Sequence, residues 1–340
     1  MVSVGLLTWA GCASSSLKGG LPGSELPKEL PADLQQRFEI KDTPPPVVLK
    51  TAPSPVASPA PPPEKKKKKR KAKEPAPWPS PSAAPTAESG LAPEFHYPVR
   101  RPAVDPIWLG EHFEYEVTYF GMAAGLFSLR TLPYKAVGDR KVYYIKGTAE
   151  SSKVFSLFYR LNDTVETFID FEGIFSHRFH LVLDESKQAR DALELYDSIK
   201  AQTFYWNKWN RQDAGYSETK EFQPIVSFPQ DSLSAIYYMR TVPMPPGGVF
   251  SFPVVSEGKM WEAEVSVIRR EILETPLGRV RTVMVKPETK FQGVLQKRGD
   301  SFMWFTDDDR RILVRLEAKV KIGTGAGVLR KAELGQAPGH

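Results

Sequence analysis

Cysteine is nearly absent: Cys12 is the only one in the chain. A lone thiol cannot close an intrachain disulfide, and its place near the N-terminus removes thiol catalysis and cysteine-built zinc sites from the remainder. Long apolar runs are missing too. No stretch reaches the ~18 uncharged apolar residues of a membrane-spanning helix, so lipid is the only anchor open to the chain. A GxSxG elbow, an HExxH helix and a Walker lysine do not occur, which removes the commonest hydrolase and nucleotide-binding signatures. An excess of charge is also lacking outside a single place. The formal net charge of +6 equals the imbalance within residues 64–74, where Lys65, Lys66, Lys67, Lys68, Lys69, Arg70, Lys71 and Lys73 face two glutamates. The rest sums to zero, so the basic character belongs to one segment and does not mark the folded part as a nucleic-acid binder.

Residues 1–12, MVSVGLLTWAGC, form a short apolar run ending in small residues and Cys12. This resembles a bacterial lipoprotein signal, in which Cys12 is lipidated and becomes the first mature residue. Ala13 in place of aspartate implies, by the same resemblance, an outer-membrane lipoprotein facing the periplasm. The alternative is an incidental apolar N-terminus on a cytoplasmic protein. Eighteen of the 31 prolines fall in residues 44–106, a composition that favours polyproline II and builds no core. Residues 13–106 are therefore expected to be a disordered Pro/Ala/Lys-rich tether, with one weak helix over 30–40. The sixty residues from 43 onward would reach on the order of 150–190 Å if fully extended. The basic run from Lys65 to Lys73 reads as a solvated spacer held open by self-repulsion, or as a contact for anionic envelope surfaces and cell-wall components.

Beyond residue 107 the pattern changes. Phe113, Tyr115, Val117 and Tyr119 alternate with His112, Glu114, Glu116 and Thr118, the period of a strand with an aromatic face. Similar stretches at 126–132, 141–149, 163–170, 175–183, 192–199, 202–209, 216–222, 249–255, 259–270, 278–287 and 302–305 are separated by turn residues. Ile312, Val314, Leu316, Ala318, Val320 and Ile322 share one parity, against the charges of the other, which predicts a long strand entered from the turn 306–310. Residues 151–161 match helical spacing and predict a short helix. A firmer helix spans about 231–242, with the stripe Leu233, Ile236, Tyr237 and Arg240, Asp231 as N-cap and Pro243 as the stop. The expected fold is mainly β, a curved antiparallel sheet or open β-barrel of about a dozen strands with that helix packed on or in it. The β domain is expected over 107–330, with a flexible tail at 331–340.

Candidate sites are few. Asp307, Asp308 and Asp309 lack the alternating spacing of a calcium loop and read as a turn, with Arg310 and Arg311 offsetting their charge. His177 and His180, three apart on a strand, point to opposite faces and do not make a metal pair. His112 sits on the charged face of the first strand. The glycines of 323–327 follow a strand without phosphate-loop spacing and predict a flexible strand end. No catalytic residue, metal or cofactor is expected. Aromatic residues mostly build core, and Tyr115, Tyr119, Trp206, Tyr237 and Trp304 are the candidates to line an apolar cleft under the helix.

Three segments, in order, carry a likeness: GEHFEYEV at 110–117 with Ala124-Gly125, DSLSAIYYMR at 231–240, and WFTDDDRRILV at 304–314. Together they resemble the bacterial domain of unknown function 3108 family over about residues 107–330. The resemblance implies a mainly β envelope protein and assigns no activity. The expected function is a non-enzymatic envelope lipoprotein, held to the membrane at Cys12, whose β domain binds an apolar ligand or an envelope partner in its concave face. One alternative is a scaffold lipoprotein whose basic tether grips anionic envelope components. A second is an enzyme using a polar cluster near the C-terminal hairpin.

Overall fold

Alternation of apolar and charged residues carries through into strands almost everywhere it occurs. The computed structural model describes residues 26, 30–43, 95–291, 294–295, 300–319 and 324–337. Two units separate along the chain, Met1–Thr43 with Tyr97–His340, and Pro44–His96; the architecture below is that of the first. In chain order its described elements are α1 (Ala32–Phe38), β1 (Ile40–Asp42), β2 (Leu109–Tyr119), β3 (Met122–Val137), β4 (Arg140–Ser151), β5 (Asn162–Asp170), β6 (Ser176–Asp184), β7 (Gln188–Asp197), β8 (Gln202–Arg211), β9 (Gly215–Pro224), α2 (Ser234–Thr241), β10 (Val249–Ser256), β11 (Lys259–Thr275), β12 (Gly278–Phe291), β13 (Val294–Leu295), β14 (Ser301–Thr306), β15 (Leu313–Lys319) and β16 (Thr324–Gln336).

The strands make one antiparallel sheet in the order β10-β11-β12-β14-β15-β16-β2-β3-β4-β5-β6-β7-β8-β9, with β1 added to β3 and β13 to β12. It is a meander closed in the middle by the C-terminal strand: β16 lies between β15 and β2, so the two ends of the domain pair with each other. Hairpins use two-residue turns with both central residues at positive φ, Phe120-Gly121 and Glu257-Gly258, the geometry that matches strand twist. Pro133 sits where the β3–β4 register shifts between Leu132 and Lys135, a bulge that absorbs its missing N–H.

The sheet curls around α2. Side chains from β2–β5, β10–β12, β14–β16 and α2 join in one apolar cluster that includes Tyr115, Ile145, Tyr237, Val265, Val285 and Phe305. β10 pairs along its whole length with β11, and its free edge is met by a strap: Pro229 O accepts from Ser176 N at 2.9 Å, Gln230 N donates to Pro253 O at 3.0 Å, and Val255 N donates to Gln230 O at 2.8 Å. α2 starts at Ser234 with Leu233 in the N-cap position, so Asp231 is not the cap itself but holds the turn before it, its Oδ1 accepting from Leu233 N and Ser234 N at 2.7 Å each.

The sheet is mainly β and curved as the sequence predicts, with sixteen strands among the described residues against about a dozen. Four boundaries differ. The stripe at 151–161 yields only a 3-10 turn, Phe155–Leu157, because Val154, Leu157 and Phe158 meet no surface to pack on. The last long strand ends at Lys319 among the described residues, and residues 320–323 lie outside them. The glycine-rich stretch opens β16, which continues through residues 331–336 paired with β2, where a flexible tail was expected. Residues 30–43 and 97–106 belong to the β domain, where the sequence predicts tether.

The N-terminal docking has a clear cause. Leu34 and Phe38 on one side of α1, with Leu30 just before it, bury against Val142, Phe168, Leu193, Leu195, Phe204 and Trp206 on the opposite face of the sheet from α2. Strands β4, β5, β7 and β8 therefore bury both faces, and one-sided alternation understates their core. β1 then pairs with β3, Ile40 opposite Val137 and Asp42 opposite Lys135. Arg37 reaches Asp197 at 2.6 Å and Lys200 reaches Asp33 at 3.0 Å. Gly138, at positive φ, lets Arg37 O come so close that a Cβ would stand 2.9 Å from it.

Candidate functional site

The five aromatic candidates do not line one cleft. Tyr115 on β2 and Tyr237 on α2 do meet, at 0% and 1% exposure, and with their neighbours fill the concave face. Tyr115 Oη donates to Leu313 O at 2.9 Å. Trp304 belongs to the same cluster, but its Nε1 donates to Glu271 and Arg315 lies 5.2 Å over its ring. Tyr119 is half-buried at the end of β2, edge-on to Phe120 at 4.6 Å. Trp206 is in the other core, under α1, with Nε1 donating to Glu218 at 2.7 Å. Cys12 and the basic residues from Lys65 to Lys73 lie outside the described residues.

The histidines pair separately. His177 Nε2 is 3.0 Å from Asp170 and His180 Nε2 is 2.7 Å from Asp191, while His112 stands between Glu114 and Glu333. Asp308 builds its own turn, Oδ1 accepting from Arg310 N at 3.1 Å and Arg311 N at 3.0 Å. Asp307 faces Arg270 at 3.0 Å.

Arg310 does not merely offset charge. It turns inward to Glu111, which also receives Arg240 from α2. Arg240 Nη1 and Nη2 meet the two carboxylate oxygens at 2.9 and 2.7 Å, a bidentate pair. Thr131 Oγ1 donates at 3.4 Å. Pro106 O takes a further bond from each arginine, Arg240 Nε donates to Arg310 O at 3.2 Å, and Arg310 lies 3.5 Å over Trp108. Burial opposes the Arg240 charge, but Glu111 outweighs it and raises its pKa; burial leaves that of Arg310 lowered. A carboxylate engaged by two guanidiniums and a hydroxyl has no open lone pair for proton transfer, so the cluster can clamp elements but not act as a base. Sequence reasoning met Glu111 only within the segment 110–117 that carries the family likeness, and Arg240 on a helix stripe, without joining them. Its one usable signal was an arginine on an otherwise apolar stripe, which must find a partner.

Three buried carboxylates fasten neighbouring elements. Asp231 Oδ2 accepts from Thr167 and Ser176, tying α2 to β5 and β6; burial raises its pKa. Glu194 on β7 receives Glu257 N and Gly258 N at 3.0 Å each and Thr203 Oγ1 at 3.2 Å, which locks the β10–β11 turn against the inner side of β7. Burial pushes its carboxyl up to about 7. Asp163, beside Glu185, is also raised to about 7 by burial and then by that neighbour.

A carboxyl whose folded pKa lies above its unfolded value favours the fold most below the unfolded pKa. That advantage is lost as pH rises toward 7. The domain should therefore resist urea better at pH 5.5 than at pH 8, with Glu194 contributing on the order of 2 kcal/mol of the difference. Glu194→Gln should flatten the profile, and an equally steep one would show that Glu194 is not its source.

Two features remain accessible. A cleft of about 500 Å³ opens beside α1, lined by Arg37, Lys41, Tyr97, Asp139, Arg140 and His177 among others. Its guanidiniums are engaged, Arg37 with Asp197 and Arg140 bidentate to Asp170 at 2.8 Å. At the other end of β3 and β4, large apolar side chains stand in solvent: Phe120, Met122, Val154, Leu157 and Phe158.

A family model matches residues 114–330, the greater part of the chain and nearly all of the sheet, and its description is protein of unknown function (DUF3108). The chain belongs to the DUF3108 family. Solved structures that it resembles do so at low identity. A β-barrel-like protein of domain of unknown function DUF1849 from Brucella abortus has 8% identity and a TM-score of 0.43, covering 66% of this chain and 98% of that one. A protein described as exported, with a YmcC-like fold, from Bacteroides fragilis has 10% identity and a TM-score of 0.31, covering 68% and 98%. A protein described as a lipoprotein, from Parabacteroides distasonis, has 10% identity and a TM-score of 0.30, covering 70% and 100%. No curated protein matches this DUF3108 chain significantly.

Proposed function

We propose that this chain is a non-enzymatic, lipid-anchored envelope protein whose β domain docks on an envelope partner through its outer surface. The observation that carries this reading is the packing of the concave face. Tyr115, Tyr237 and their neighbours fill the space that an apolar ligand would need, while large apolar side chains stand exposed at one end of the sheet. The carboxylates and guanidiniums closest to the C-terminal hairpin neutralise one another, which supports a clamp rather than a reaction centre.

Docking of α1 changes the tether. Only residues 13–29 separate Cys12 from the packed Leu30, so an anchor at Cys12 would hold the domain within about 60 Å of the bilayer even if they were fully extended. Residues 44–96 connect two packed points in the chain, and their basic run would add a salt-sensitive attraction to anionic envelope components.

Labelling cells with a fatty acid tests the anchor: the parent chain should incorporate it and Cys12→Ala should not. Unlabelled parent protein would remove the envelope address. Native mass spectrometry of the purified Cys12→Ala chain tests the packed interior. A lipid released in stoichiometric amount would restore the ligand reading.

A further inference from the structure

From the exposed rim at the β2–β3 and β4–β5 turns we infer a lipid-contact device: Phe120, Met122, Val154, Leu157 and Phe158 enter the surface of a bilayer. Single exposed apolar residues need no explanation, but a contiguous group does. Val154, Leu157 and Phe158 are 70%, 81% and 80% exposed within five positions. Phe120 and Met122 lie on the adjacent turn, which is tied to this one by Ser152 N donating to Ala124 O at 2.8 Å and Ser152 Oγ to Ala123 O at 3.0 Å.

The rim is built rather than loose. Ser156 N donates to Ser152 O at 2.8 Å, Tyr159 N to Phe155 O at 2.9 Å, and Phe155 N to Ser152 Oγ at 3.1 Å. Arg160 grips Asp184 with two bonds of 2.8 Å, its N donates to Ser186 Oγ at 2.7 Å while Ser186 N donates to Arg160 O at 2.9 Å, and Tyr159 Oη donates to Glu185. A turn pinned this way holds its apolar side chains outward instead of folding them back. Phe120 gives an independent sign. It occupies a left-handed conformation at φ 51, a position that glycine or asparagine fills without strain, and its ring is too exposed for packing to offset the cost.

The chemistry of the surroundings selects lipid. Residues 119–126 and 151–160 contain no carboxylate; Arg160 is held by Asp184, which leaves the exposed Lys153, next to Val154, to meet a headgroup phosphate. Tyr119 and Tyr159 stand at the base of the protrusion, where amphipathic rings meet a membrane–water boundary. The shape is a protrusion from adjoining turns, which a deformable bilayer accommodates without a matching groove.

This inference rests on the docking reading for its cellular setting, and its test leaves out the anchor. The full chain carrying Cys12→Ala is floated with neutral phosphatidylcholine vesicles in 0.5 M salt, where Lys65 to Lys73 contribute little. The protein should float, and Leu157→Asp with Phe158→Asp should cut the bound fraction roughly tenfold or more while leaving the melting temperature unchanged. Binding only to anionic vesicles and only at low salt would assign the contact to the basic run and overturn the inference. So would equal flotation of the variant, or a parent dimer that the double substitution turns into monomer.

Discussion

Replacing Glu111 with alanine should cost about 3–5 kcal/mol, because it strands the buried Arg240 guanidinium beside the half-buried one of Arg310 without the carboxylate between them. Glu111 is 1% exposed and the side chain of Arg240 3%, so water cannot take over. Arg240→Ala should cost less, since Arg310 still neutralises Glu111, and Arg310→Ala least, because its side chain is the most exposed of the three. An exposed ion pair would give at most about 1 kcal/mol for any of them. The clamp joins the start of β2, the end of α2 and the β14–β15 turn, so its loss should loosen the helix against the sheet. Urea midpoints of the three variants measure the order. Equal, small shifts would show that the cluster is only surface decoration of the helix end.

Removing residues 1–43 should destabilise the β domain severely and expose an apolar face. Leu34 and Phe38 are buried against Val142, Phe168, Leu195 and Trp206, and truncating one large core side chain to alanine typically costs about 2–5 kcal/mol. A chain beginning at Pro44 should therefore melt well below the full chain and bind a hydrophobic dye, whereas loss of a mere tether would leave the melting temperature unaltered. Phe38→Ala tests the packing alone. Gly138→Ala tests the approach of Arg37 O, which a Cβ would block. After trypsin cleaves among Lys65–Lys73, the N-terminal fragment should still co-elute with the rest, held by α1 and β1.

Several elements were legible from local pattern. Alternation at 113–119 gave β2, the stripe from Leu233 to Arg240 behind Asp231 gave α2, and the acidic turn at 306–310 separated β14 from β15. The same logic misread 151–161, where helical spacing without a surface to cover left a 3-10 turn. It also misread 323–336, where glycines concealed a strand whose partner, β2, lies some two hundred residues earlier. Weak helix signals over 30–40 gave no hint that α1 would be needed. Its stripe of three apolar residues is short, and the face it covers comes from strands far along the chain.

Strand alternation and helical stripes report on the sequence alone because backbone geometry fixes their periods locally. By itself the sequence thus determined a mainly β domain, one firm helix near residues 231–242, a family likeness and the confinement of net charge to residues 64–74. Only the tertiary structure decided which faces are buried. The curl of the sheet brought Glu111 to Arg240 across 129 positions and to Arg310 across 199. It also filled the concave face, set α1 on the other side and left Leu157 and Phe158 without a partner among the described residues. Burial is a property of what arrives opposite a residue, and no local period carries that information.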